Sequence, residues 1–129
     1  MNFKQLYEKA YAVVNPKVLT DYAEVGEVGA AIVTDKGNIY VGVSIDTACS
    51  MGFCAEHSAI AAMVTAGETR IDKVIAVGES GEILPPCGRC REIMSQINYN
   101  NIQAEIMVDE DEIIQLKELL PHDWKGKKK

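Results

Sequence analysis

Residues 73–78 read Lys-Val-Ile-Ala-Val-Gly, a short apolar run with no alternation of polar and apolar side chains. A strand of this kind is covered on both faces, because a half-exposed strand carries a polar residue at every second position. It demands a sheet with helices on either side. The flanking segments supply them. Residues 2–15 place Phe3, Leu6, Tyr7, Ala10 and Val14 at helical spacing and end at Pro16, which predicts an amphipathic helix. "VGAAIVT" (28–34) and "NIYVGV" (38–43) are rich in β-branched residues, and Asp35-Lys36-Gly37 joins them as a hairpin turn. "CAEHSAIAAMVTAGE" (54–68) is Ala-rich, lacks Pro and ends near Gly67, as a buried helix would. After Pro85-Pro86 a helix is expected from about Cys87 to Ile97, then a strand over 104–108 and a helix over 111–120 stopped by Pro121. The order α-β-β-α-β-α-β-α predicts an α/β sheet covered on both faces, built as one domain over residues 1–129.

The chemistry concentrates in "PPCGRCRE", residues 85–92. Cys87 and Cys90 stand three positions apart. Such a pair can be a redox couple, half of a structural zinc site, or part of a catalytic one. Four cysteines in a chain of 129 residues do not make a disulfide scaffold. The opening "MNFKQLYEKAYAVV" has no apolar signal region, and no apolar run approaches the roughly 20 residues of a membrane span. We expect a cytoplasmic protein without membrane contact, and in the reducing cytosol a C-x-x-C is more often metal-binding or catalytic. Net charge is −6, which argues against nucleic acid as a partner and for a small substrate. The single basic run, "KGKKK" at 125–129, reads as a solvated, frayed tail.

Cys54 is the third cysteine of interest. Like Cys87, it begins an expected helix after a loop, where free N–H groups and the helix dipole favour a thiolate. Cys54, Cys87 and Cys90 could converge on one Zn²⁺. His57 and His122 are the available histidines for a fourth position. A structural site would fill that position; a catalytic site would leave it to water. Glu56 favours the second, because a carboxylate in the first turn of a buried helix is costly unless something uses it.

"C-A-E" followed some thirty residues later by "P-C-x-x-C" resembles the zinc-dependent cytidine deaminase family. "VGAAI" (28–32), "G-x-S-x-D" (42–46), "CAEHSAI" (54–60), "PPCGRCRE" (85–92) and "ELLP" (118–121) fall in the family's order. The resemblance implies a three-layer α/β/α fold with a mixed sheet of about five strands, one Zn²⁺ per chain and a homotetramer with sites near subunit interfaces. It also implies hydrolytic conversion of a cytosine nucleoside to its uracil counterpart plus ammonia. Cys54, Cys87 and Cys90 would hold the zinc. Glu56 would take a proton from water, pass it to the ring nitrogen and help the amine leave. Ser44, Asp46 and Ala55 would contact substrate.

The sequence also departs from the family. Ser44 and Asp46 stand where the family carries Asn and Glu on the ribose hydroxyls, and the aromatic residue usual before "VGAA" is replaced around Val25 and Gly26. His57 stands where Arg offsets the thiolate charge; a protonated His57, with Arg89 and Arg91, could do this instead. Blasticidin-S deaminases, which act on a cytosine nucleoside analogue, also carry "PCGRCR" and lack Arg after "CAE", and are the alternative enzyme. A structural zinc module is the non-enzyme alternative. Phe53, Tyr22 and Trp124 could offer stacking surface, "ELLPHDW" resembles the segment that closes over a neighbour's site, and Cys49 reads as a free, buried thiol.

Overall fold

The computed structural model describes residues 1–128. The first helix, α1, runs over Phe3–Ala12. Asn2 caps it reciprocally: its side chain accepts from the Gln5 N–H at 2.8 Å, and the Gln5 side chain accepts from the Asn2 N–H at 3.1 Å. The helix stops short of the expected residue 15, ahead of the β-branched pair Val13-Val14. The Asn15 N–H is instead used by the Gly26 carbonyl at 2.9 Å.

Three strands follow: β1 (Lys17–Thr20), β2 (Ala23–Thr34) and β3 (Ile39–Thr47). The hairpin was legible, but β1 was not, since all four of its residues are exposed and carry no buried pattern. Next come α2 (Ala55–Thr65), β4 (Ile71–Gly78), α3 (Gly88–Ile97), β5 (Glu105–Asp109) and β6 (Glu112–Gln115). The long β2 organises the sheet. β3 lies antiparallel along one edge, while β1 and then β4 pair with successive parts of the other. β4 and β5 are parallel, as a helical crossover requires, and β6 turns back antiparallel on β5. The sheet is mixed, with six strands against an expectation of about five. Gly26, at φ 82°, sits where the β2 register shifts between Val25 and Gly29; a Cβ there would also strike the Asn15 backbone.

The residues of β2 and β4 divide between the faces as the period of two dictates. Ala30, Ile32, Val74 and Ala76 pack with Ala59, Ile60 and Met63 of α2 and with Met94 of α3. Ala31, Val33, Ile75 and Val77 pack against Phe3, Leu6 and Ala10 of α1. The central-strand expectation for 73–78 is met. α2 is buried on one side only: Ala61, Ala62 and Val64 face outward, although its apolar sequence reads as buried all round.

The expected helix over 111–120 is absent. β6 and a 3-10 turn over Leu116–Leu119 take its place. The β-branched pair Ile113-Ile114 favours an extended chain, and a tight turn begun by the Asp109 side chain, which accepts from the Glu110 N–H at 2.8 Å, returns it onto β5. The tail also differs from expectation at its start. Lys125 is half-buried, with Nζ 2.8 Å from Glu92 and 2.9 Å from Asp123. Residues Trp124–Lys128 form a 3-10 turn, and Lys129 lies outside the described residues. No helix among the described residues is long and apolar enough to cross a membrane.

The seat of α2 on the sheet depends on Gly42 of β3. A Cβ there would collide with Ser58 of α2, whose Oγ donates to the Val43 carbonyl at 2.7 Å. Gly42→Ala should therefore lower stability by about 1–3 kcal/mol, read as a lower urea midpoint with unchanged slope. An unchanged midpoint would contradict this packing.

Candidate active site

Cys54 and Cys87 occupy equivalent places. Each is the extended residue immediately before a helix, Cys54 before α2 and Cys87 before α3. The preceding loops are pinned to the sheet. Phe53 and Ile45 exchange backbone hydrogen bonds at 2.9 and 3.0 Å, fixing the approach to Cys54 along β3. Ile83 bridges to Val77, and the Leu84 N–H donates to the Ala76 carbonyl at 3.0 Å, fixing the approach to Cys87 along β4. Two helix N-termini thus face one another above the sheet, and Cys90 enters one turn into α3, fully buried.

The sulfurs of Cys54, Cys87 and Cys90 lie within 4.8 Å of one another, and those of Cys54 and Cys87 are 3.3 Å apart. Three sulfurs on a tetrahedral zinc at about 2.3 Å would lie about 3.8 Å apart, so the cluster fits the ion after small adjustment. Neither His57 nor His122 joins it; these three thiols are the only such group among the described residues. Burial, then the neighbouring Cys87, pushes the Cys54 thiol up to about 11. Burial and the charges of Glu56 and Cys54 push Cys90 up as well. Burial also pushes on Cys87, but the N–H groups of Cys90 and Arg89 and the two partner thiols outweigh it and hold it below the ordinary range. Three adjacent thiolates need a cation beside them.

A cavity of about 440 Å³ opens beside the thiols. Cys54, Ala55, Glu56, Cys87 and Arg89 line it, as do Ser44, Asp46 and Phe53. Glu56 is 4% exposed. Burial raises its pKa. Ser44 is buried, and its Oγ accepts from the Val28 N–H at 3.1 Å, leaving its own proton to donate.

Of the other expected site residues, His57 and Arg91 do not line the cavity. The His57 ring packs on Phe53 at 4.8 Å between centroids, and its Nδ1 is buried without a partner. Burial, then the Arg89 charge, lowers its pKa, which opposes the imidazolium expected there. Arg91 is committed to the Pro86 carbonyl at 2.8 Å and the Leu119 carbonyl at 3.5 Å, bracing the loop before α3. Arg89 lines the cavity and donates to the Gly52 carbonyl at 3.4 Å. Tyr22 is 75% exposed and does not line the cavity. Trp124 donates to Glu92 on α3 of its own chain at 3.3 Å. Cys49, expected to be buried, is exposed, at φ 63° in the loop before α2. The residue missed by sequence reasoning is Glu27, which lines the cavity from β2. Its signal was a charge set between Val25 and Val28, just before the buried stretch of the strand.

The family model for the cytidine and deoxycytidylate deaminase zinc-binding region matches residues 3–106. The chain belongs to this family. A cytidine deaminase of Halalkalibacterium halodurans is 30% identical over 104 residues, which cover 74% of each chain. A blasticidin-S deaminase of Bacillus cereus is 36% identical over 77 residues, 53% of this chain and 55% of that one. The crystal structure of Mycobacterium leprae cytidine deaminase superposes with a TM-score of 0.79 at 27% identity, covering 95% of this chain and 99% of that one. The three-layer, mixed-sheet expectation is thereby met. Zinc is this family's metal, and Cys54, Cys87 and Cys90 form the group suited to hold it.

Protein purified without chelator should hold about one zinc per chain by elemental analysis. Cys87→Ala should lose the metal and melt earlier, since ligand loss removes binding energy linked to folding. Zinc retained at full occupancy in Cys87→Ala would contradict the ligand set.

Proposed function

We propose that the chain is a zinc-dependent hydrolase that converts a cytosine nucleoside, cytidine or deoxycytidine, and water to the uracil nucleoside and ammonia. The observation that carries this reading is Glu56. It is a buried carboxyl in the cavity that Cys54 and Cys87 also line, beside a cluster of three thiols that no fourth protein ligand joins among the described residues. A bound Zn²⁺ would supply a Lewis acid that lowers the pKa of water toward neutrality.

The remaining roles belong to the chain. Cys54, Cys87 and Cys90 would hold the ion. Glu56 accepts the proton of the attacking water, delivers it to the ring nitrogen, and then helps protonate the departing amine. Ala55 offers backbone groups at the helix start, where N–H groups lack intrahelical partners. Ser44 donates toward the sugar and Asp46 accepts from it. Arg89 offsets thiolate charge from the cavity wall; Arg91 positions the loop that carries Cys87. His57 packs behind Phe53 as a neutral ring. A structural zinc module would need a fourth ligand where Glu56 opens. A blasticidin-S-like deaminase remains the second reading, favoured by "PCGRCR", by the lack of Arg after "CAE" and by the Bacillus cereus relative.

We read residues 1–129 as one catalytic domain working in pyrimidine salvage in the cytoplasm, where its thiols stay reduced. The acidic net charge of −6 disfavours nucleic acid as substrate. We also infer a homotetramer with sites near its interfaces. Exposed Val18, Leu19, Tyr22, Met51 and Val64 support an assembly that covers them.

Glu56→Gln should keep zinc and fold yet lower turnover of cytidine by about 10²-fold or more, because the amide cannot accept and return a proton. Ammonia release and zinc content measured on the same samples check this. Near-full activity would leave Glu56 as a helix-start residue only.

A further inference from the structure

A second cavity, of about 520 Å³, lies on the other face of the sheet from the thiols, beside α1. Its walls are apolar. Phe3 and Tyr7 come from α1, Ile83 from the loop after β4 and Met107 from β5, and all four belong to the layer that packs on α1. Its rim is charged. Glu82, Asp109 and Glu110 stand there, exposed, with Lys4, and no salt bridge joins Lys4 to any of them. Two of these carboxylates are held by backbone donors: Glu82 accepts from the Ser80 N–H at 3.2 Å, and Asp109 from the Glu110 N–H at 2.8 Å. The Tyr7 hydroxyl donates to the Gly81 carbonyl at 2.6 Å, so its oxygen keeps lone pairs that can accept from a ligand. A cavity of this size, aromatic and apolar within and carrying a few placed polar groups, has the make-up of a small-molecule site.

We propose that this cavity binds a small amphipathic amine, and that its occupancy is felt at the active site. The apolar body of the ligand lies against Phe3, Tyr7, Ile83 and Met107. Its ammonium faces the Tyr7 hydroxyl oxygen and the rim carboxylates. Three carboxylates against one amine leave an excess of negative charge, which attracts a cation and repels an anion. An uncharged ligand of the same shape gains the apolar contact alone. The link to the active site is the loop after β4. Gly81, Glu82 and Ile83 line this cavity, and the next two residues, Leu84 and Pro85, line the cavity beside the thiols. One short segment is thus the wall of both, and a ligand that restrains it on one side restrains it on the other. The coupling rests on the deaminase reading; the binding site does not.

The test uses the zinc-loaded full chain and a set of indole probes of one shape: tryptamine, its alcohol analogue tryptophol, and indole-3-acetate. Titration calorimetry should give tryptamine a Kd of about 0.1 to 1 mM, as expected for a ligand of this size. Tryptophol should bind about tenfold more weakly, and indole-3-acetate more weakly again. Raising salt from about 0.05 to about 0.5 M should narrow the gap between amine and alcohol. Glu82→Gln combined with Glu110→Gln should bring tryptamine to within about threefold of tryptophol and leave tryptophol unchanged. Met107→Trp, which fills the cavity, should abolish the binding of both. Misfolding of Met107→Trp does not imitate the charge-selective effect of the double variant. Saturating tryptamine should move kcat/KM for cytidine by about threefold or more, and Met107→Trp should remove that response. No binding of tryptamine at about 10 mM, equal affinity for amine and alcohol, or binding indifferent to these substitutions would overturn the site. Binding as expected with kcat/KM unmoved would overturn the coupling. A chain that turns over no cytidine would sink the deaminase reading and the coupling with it, while the titrations still decide the site.

Discussion

The meeting of two helix N-termini over the sheet is the constraint on which the rest depends. Cys54 and Cys87 sit before α2 and α3, and each loop is tied by backbone hydrogen bonds to a strand flanking β2. β2 therefore sets the separation of the two thiols, and the 3.3 Å approach of their sulfurs is a consequence of sheet geometry rather than of the loops alone. Cys90 follows one turn later because helical spacing returns it to the same side. The apolar layers on both faces of β2 and β4 hold this frame rigid, which a metal site needs if its ligands are to be in place before the ion arrives.

That frame also explains why charge is distributed as it is. Thiolates are favoured by helix N-termini, yet burial opposes them, and in the arrangement seen here only Cys87 lies below its ordinary range. A bound divalent cation would favour the thiolate forms that burial opposes. Glu56, in the first turn of α2, gains from the same helix end but is removed from solvent. Its placement beside the thiols and in the cavity is hard to explain by stability alone, because an alanine would fill the helix at no desolvation cost.

Much of this was legible in the chain. The apolar run at 73–78 announced a two-sided sheet, and "CAE" with "PCGRC" announced the thiol cluster and the carboxyl beside it. Those features are local, and each is fixed by one physical requirement. What was not legible depended on tertiary pairing. β1 has no buried side to give it a pattern, and 112–115 became a strand because β5 offered an edge, although its polar neighbours mimic a helical period. Cys49 was expected inside because free cysteines usually are; its loop instead turns through left-handed backbone at the surface. Arg91 looked like a partner for thiolates from its spacing, yet the carbonyls of Pro86 and Leu119 claim it. Glu27 escaped notice because a single charge in a strand looks like a solvent-facing residue until the opposite wall of the cavity is known.

The central claim is a metal held by three thiolates, with a fourth position open toward Glu56. X-ray absorption at the zinc edge of the purified protein addresses it directly. The account predicts three sulfur neighbours at about 2.3 Å and one lighter oxygen neighbour at about 2.0 Å. Adding a transition-state-like hydrated pyrimidine nucleoside should change that lighter shell while leaving the sulfur shell intact. Four sulfur neighbours, or three sulfurs with an imidazole pattern from His57 or His122 that no ligand displaces, would contradict it and make the site structural.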